Sequence, residues 1–509
     1  MNLAVHVLLL SFLLYTVHSF PAYPPYPIYP RSSLNSSNAS SVPIPQPSYN
    51  SSSKAMNPDL VTSLPEYSGS LPELYSGYLS AENFKQIFYT FAPAITPTDK
   101  FIVWLQGGPG CAGTLGFFSE NGPIILDPNH QTPQDNPNSW TRFANMMWID
   151  QPFGTGYSQG SPLASTVSIA TSDFIQTLKS FYAKFPEMKE KELYLVGESY
   201  GSVWGAYFAQ ALRSDPELHA IPFGGLGIIS GLLSDYETQN TITASMWLDH
   251  VNKMGLYYTN ESAEVSTFFA AKNQQCGYAE VLERMQFPAE QTPIPKPRVN
   301  LTNSFSKKKR QADSDSDSGN IKEAFQMITD CDTYTLTDFL LYLKNHCMIT
   351  YDITLDCSFN SNNDPLTTYL NRKDVQKQLH AIHVESALTS SKGIFGNGCN
   401  YDVYGDIVKN GAPSILEEAI PELVQNYKVS FLAGALDFQL LWTGSLLALQ
   451  NTTWNGWQGF QEIPDLNSPF GFTLDERNLA FTLSNKVGHM APSKDPSMVI
   501  DWLQKTLLG

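Results

Sequence analysis

The chain has 509 residues, a formal net charge of −17 at pH 7 and only 16% charged residues, against ~25% in an average soluble domain. That acidity excludes a basic nucleic-acid binder, because phosphate contacts need a cationic face. Six cysteines in so long a chain exclude a disulfide mini-scaffold, and 42% hydrophobic content excludes wholesale disorder.

Residues 3–17 are apolar but too short for a confident membrane span, and a small-residue site follows at Ser19. Residues 1–19 therefore read as a secretory signal peptide. No later run is long and apolar enough to predict stable membrane insertion. Residues 20–62 are rich in Pro, Tyr, Ser and Asn and read as a disordered, glycosylated leader. Sequons at Asn35, Asn38, Asn50, Asn260, Asn300 and Asn451 support export. So does the even set Cys111, Cys276, Cys331, Cys347, Cys357 and Cys399, which allows 15 pairings. No C-x-x-C occurs, so neither a metal site nor another cofactor is expected.

From residue 63 short apolar runs alternate with helical patterns. Strands are expected at 102–105, 146–149, 192–196, 226–229, 429–433 and 479–483, with a helix from about Ser202 to Arg213. This is the pattern of an α/β protein with a mostly parallel sheet flanked by helices. Residues 235–365 break the rhythm and hold four cysteines; they are read as a helical, disulfide-stapled insertion. It splits the core into 63–234 and 366–509. Inside it, 304–320 is a polar loop carrying Lys307-Lys-Lys-Arg310, either a site for a processing protease or an uncut solvated loop.

Gly197-Glu198-Ser199-Tyr200-Gly201 fits G-x-S-x-G between an expected strand and an expected helix. That turn exposes a serine nucleophile at a helix N-terminus. A serine needs a base, and the base needs an orienting carboxylate. His6 and His18 leave with the signal, and His380 and His383 share an expected helix. His489 instead follows the 479–483 strand, and Asp437 follows the 429–433 strand. The order Ser199, Asp437, His489 is that of α/β-hydrolases. The loop Gln106-Gly-Gly108-Pro-Gly-Cys111 exposes backbone N–H groups that can join the N–H of Tyr200 in an oxyanion hole.

Together these residues resemble the serine carboxypeptidase family. The matching stretches are Trp104-Leu-Gln-Gly-Gly-Pro-Gly-Cys111, Glu120-Asn-Gly-Pro123, Asp150-Gln-Pro-Phe-Gly-Thr-Gly-Tyr-Ser158, Gly197 to Ser202, and Gly488-His-Met490. The resemblance runs from about Tyr75 to the C-terminus. It implies an α/β-hydrolase fold and removal of C-terminal amino acids from peptides and proteins by a secreted, vacuolar or lysosomal enzyme. It assigns Gly108 and Tyr200 to the oxyanion hole, and Gln106, Glu120 and Glu198 to the substrate's terminal carboxylate. Three carboxyl groups together cannot all ionise, so activity is expected to fall as pH rises. Gln106 stands where the family has Asn, and Gly201-Ser202 replaces Ala-Gly. Relatives imply the pair Cys111–Cys399; Cys276–Cys357 around Cys331–Cys347 is expected for the rest. Two other readings share these residues: an acyltransferase on the same scaffold and a non-catalytic binding protein.

Overall fold

The computed structural model describes residues 57–126, 132–158, 162–258, 262–297, 331–355, 365–381, 398–411, 414–467 and 471–509. The strands in chain order are β1 (Tyr75–Ser80), β2 (Gln86–Ala92), β3 (Lys100–Leu105), β4 (Ile124–Leu126), β5 (Pro133–Asp135), β6 (Asn145–Ile149), β7 (Glu192–Glu198), β8 (Phe223–Ile229), β9 (Lys428–Gly434), β10 (Thr453–Trp454), β11 (Trp457–Gln458), β12 (Gly471–Glu476) and β13 (Leu479–Ser484). Nine of them form one sheet in the order β1-β2-β6-β3-β7-β8-β9-β13-β12, while β4/β5 and β10/β11 are small separate hairpins. From β6 to β13 all neighbours are parallel; β1, β2 and β12 add antiparallel edges.

Alternate residues of a strand face opposite sides of its sheet. Phe101, Val103 and Leu105 of β3 pack with the helices Val167–Lys184 and Gly201–Ser214. Ile102 and Trp104 pack on the other side with Val499, Trp502 and Leu503 of the helix Pro496–Thr506. A sheet covered on both faces needs continuous apolar runs, and the six expected strands are indeed β3, β6, β7, β8, β9 and β13. The edge strands lacked that signal: β12 reads Gly-Phe-Thr-Leu-Asp-Glu and buries only Leu474. The helix expected to carry His380 stops at Gln378; His380 has φ 54° and bonds Ser76 O through Nδ1 at 2.9 Å.

Residues 235–365 carry the helices Ala244–Lys253, Ser262–Gln275, Tyr278–Glu283 and Thr333–Lys344, while 285–297 and 345–355 are non-helical. Its cysteine pairing corrects the expectation. Cys276 bonds Cys331, with Cα atoms 5.7 Å apart, so the pairs Cys276–Cys357 and Cys331–Cys347 do not form. The helix Thr333–Lys344 separates Cys331 from Cys347 by 12 helical residues, about 18 Å. A disulfide tolerates about 7 Å. Cys347 is disulfide-bonded; Cys357 lies outside the described residues. Cys111–Cys399 is present, as expected. Among the described residues no helix is long and apolar enough to cross a membrane.

Candidate active site

β7 runs into the helix Gly201–Ser214 through Ser199, whose φ of 59° is left-handed. Such a conformation costs a non-glycine residue about 1–3 kcal/mol. It is held by Ser199 N donating to Ile229 O at 2.9 Å, and by Ser202 N and Leu232 N donating to Ser199 O. The flanking glycines let strand and helix approach: a Cβ on Gly197 would lie 2.1 Å from Gly201 O, and one on Gly201 2.3 Å from Leu105 O. Ser199 is left partly exposed at the helix N-terminus. Gly108, Ser199 and Tyr200 line one cavity of about 850 Å³. The N–H groups of Gly108 and Tyr200 have no acceptor among the described residues.

Asp437 and His489 arrive from the ends of β9 and β13. Asp437 Oδ2 lies 2.8 Å from His489 Nδ1, both residues being fully buried. Asp437 Oδ1 accepts from the N–H of Gln439 (2.7 Å) and Leu440 (3.0 Å). Burial raises the Asp437 pKa, opposed by His489 and by those two N–H groups. With Nδ1 committed to Asp437, His489 Nε2 is left with no partner, which suits it to accept a proton.

Gln106, Glu120 and Glu198 form a second buried group. Gln106 follows β3, Glu120 sits on the helical turn Phe117–Asn121, and Glu198 closes β7. Gln106 Nε2 donates to Glu198 Oε2 at 2.9 Å and to Glu120 Oε1 at 3.2 Å; its Oε1 accepts from Trp104 Nε1 at 2.7 Å. Both carboxyls lie against the same Gln106 amide, so each sits in the field of the other. Glu120 Oε2 and Glu198 Oε1 accept from no donor among the described residues. Burial pushes Glu120 up to about 7, against the pull of Glu198, Gln106 and His489. Glu198 goes well above the glutamate range, through burial first and then the charges of Glu120 and Asp437. Nearby, the fully buried Asp150 is wired differently. It accepts from Thr114 N, Thr114 Oγ1 and Tyr157 N, which pins the 150–158 loop, and burial raises it to about 6.

The expected residues thus fall into three assemblies: Asp437 with His489; Gln106 with Glu120 and Glu198; and Gly108, Ser199 and Tyr200 along the cavity. Asn451 is exposed at the end of the helix Trp442–Gln450. Asn35, Asn38, Asn50, Asn260, Asn300 and the 307–310 cluster lie outside the described residues. Sequence reasoning missed two contacts. Trp104 stood inside the glycine-loop motif and could have been suspected as the partner of the Gln106 amide. Tyr351, edge-on to His489 with ring centroids 4.9 Å apart, lies in no motif. Among the described residues no group of three or more His, Cys, Asp or Glu could hold a metal ion.

The profile of the serine carboxypeptidase family matches residues 65–509. Carboxypeptidase sxa2 of Schizosaccharomyces pombe is 59% identical over 456 residues, covering 89% of each chain. Serine-type carboxypeptidase F of Aspergillus niger is 27% identical over 510 residues, covering 91% of this chain and 90% of its own. Among solved structures, a prohormone-processing carboxypeptidase from Saccharomyces cerevisiae, Kex1(Δ)p, shares the fold. Its TM-score is 0.59 at 18% identity, over 85% of this chain and 90% of that one.

Proposed function

This chain belongs to the serine carboxypeptidase family, and on that premise we propose a residue-by-residue mechanism for release of C-terminal amino acids. Ser199 Oγ attacks the carbonyl carbon of the last peptide bond while its proton passes to His489 Nε2. The resulting oxyanion accepts hydrogen bonds from Gly108 N–H and Tyr200 N–H, each such donor being worth about 3–4 kcal/mol. The C–N bond then breaks, and His489 returns the proton to the leaving amine. The free amino acid departs, and water repeats the relay to release the shortened peptide. Asp437 holds the His489 tautomer throughout.

The observation that carries the exopeptidase reading is the buried Gln106–Glu120–Glu198 group. Two carboxyls held above their ordinary range can stay protonated and donate to a substrate carboxylate. That selects chains with a free C-terminus and favours acidic pH. As pH passes about 7, Glu120 ionises and repels the substrate's own carboxylate. The two disulfides, together with an N-terminal apolar stretch read as a signal peptide, support passage through the secretory pathway.

The test is digestion of matched peptides with free and amidated C-termini at pH 4–7, followed by mass spectrometry. Ladders from the free peptides only, and none with Ser199→Ala, are expected. Equal trimming of both sets would remove the carboxylate-recognition reading.

A further inference from the structure

The turn at Ile349–Asp352 belongs to the insertion, yet it touches both loops that carry the acid and the base. Phe438 N donates to Thr350 O at 2.8 Å, and Ile353 N donates to Leu436 O at 3.1 Å. Thr350 Oγ1 donates to Gln439 Oε1 at 2.9 Å. These three bonds bracket Asp437. His489 N donates to Tyr351 O at 2.7 Å, and the Tyr351 ring stands edge-on to the imidazole at an interplanar angle of 88°.

Close approach makes this seam specific. A Cβ on Gly488 would lie 2.2 Å from Tyr351 O and 2.9 Å from Asp352 Cβ. Beyond the histidine, Lys494 Nζ is ion-paired with the buried Asp352 Oδ2 at 2.9 Å. The turn is fastened in its own right. Asp352 N donates to Ile349 O at 3.0 Å, and Asn345 Nδ2 donates to Leu355 O at 2.9 Å beside the disulfide-bonded Cys347. Tyr351 also lines the cavity that Ser199 opens into.

We propose that Tyr351 is a positioning residue for His489: the turn Ile349–Asp352 sets the relative placement of Asp437 and His489, and the Tyr351 ring fixes the imidazole plane. The proton relay between two loops from different strands is then aligned by a third segment that contributes no reacting atom. Because Tyr351 faces the cavity as well, whatever occupies the cavity presses on the same ring that holds the base.

The proposal rests on His489 being the base, and the experiment separates the two. The rate of Ser199 phosphonylation by a fluorophosphonate is measured alongside kcat and KM for a peptide, in the full chain and its variants. Tyr351→Ala is expected to lower both kcat and the phosphonylation rate by about 10–100-fold, the scale of an ångström-sized misplacement, with KM within about threefold. Tyr351→Phe, which keeps the ring, is expected to recover most of that loss. Tyr351→Leu keeps apolar volume and gives the same comparison if the alanine variant does not fold. A wild-type phosphonylation rate in either ring-less variant, or a rise in KM with kcat retained, overturns the positioning role. Wild-type phosphonylation in His489→Ala would instead overturn the reading of His489 as the base.

Discussion

Asp437 and the Glu120–Glu198 pair are equally hidden from water, but they are supplied with donors very differently. Asp437 receives three hydrogen bonds, from two backbone N–H groups and the His489 ring. Bonds to a charged group are worth about 1.5–3 kcal/mol each, enough to offset much of the several kcal/mol that burying one ion costs. The two glutamates share a single side-chain amide and leave two oxygens unsupplied. In the proposed mechanism fixed donors suit one carboxyl to the ionised orienting role. Their scarcity suits the other two to holding protons.

The contrast breaks most visibly at Asp437. Asp437→Asn is expected to lower kcat about 10⁴-fold by favouring the wrong His489 tautomer; retention of a tenth of the wild-type rate on a peptide would contradict the orienting role. The glutamate side is next. A group is half protonated at its pKa and about a tenth protonated one pH unit above it, so with Glu120 near 7, kcat/KM should drop about fivefold between pH 7 and 8. Glu120→Gln together with Glu198→Gln cannot ionise and should flatten that limb; a double variant with the wild-type profile would sink the comparison.

Stability should respond in the same direction. Glu120 is raised from 4.5 to about 7 and Asp150 from 3.8 to about 6, so over this range the native state binds more protons than the unfolded one. Stability then falls with rising pH. The contribution is complete below about pH 4 and gone as pH passes 7, which thermal unfolding between pH 4 and 8 should register as a few degrees of Tm. The smallest effect is expected from Gln106→Asn. The shorter side chain cannot keep both Trp104 and the two glutamates, and losing one neutral bond costs about 1 kcal/mol. A Tm equal to wild type would show that the longer amide has no structural role.

What was legible in the sequence follows from how locally each feature is encoded. Ser199, Asp437 and His489 each follow a buried strand whose continuous apolar run is visible, and the glycine loop and G-x-S-x-G turn declare their backbone needs directly. The edge strand β12 carried no such signal because it buries only Leu474, and β1 and β2, though largely buried, interrupt their apolar residues with Ser76, Gly77, Gln86 and Thr90. The cysteine pairing was missed because it depends on Thr333–Lys344 holding Cys331 and Cys347 apart, a length that the spacing alone does not convey. Tyr351 was invisible for a deeper reason: its contacts are made largely by backbone carbonyls in a turn, and any residue type supplies a carbonyl.

Cys111–Cys399 and Cys276–Cys331 both straddle residues 304–320 along the chain. A molecule cut there would remain one covalent species of two polypeptides. The first would carry Gln106, Glu120, Glu198 and Ser199, and the second Tyr351, Asp437 and His489. Among the described residues the two halves of the great sheet meet strand to strand at β8 on β9, from Gly225 opposite Lys428 to Ile229 opposite Leu432. Reductant would then turn the nicked enzyme into a complementation pair, with Ser199 on one fragment and its relay on the other.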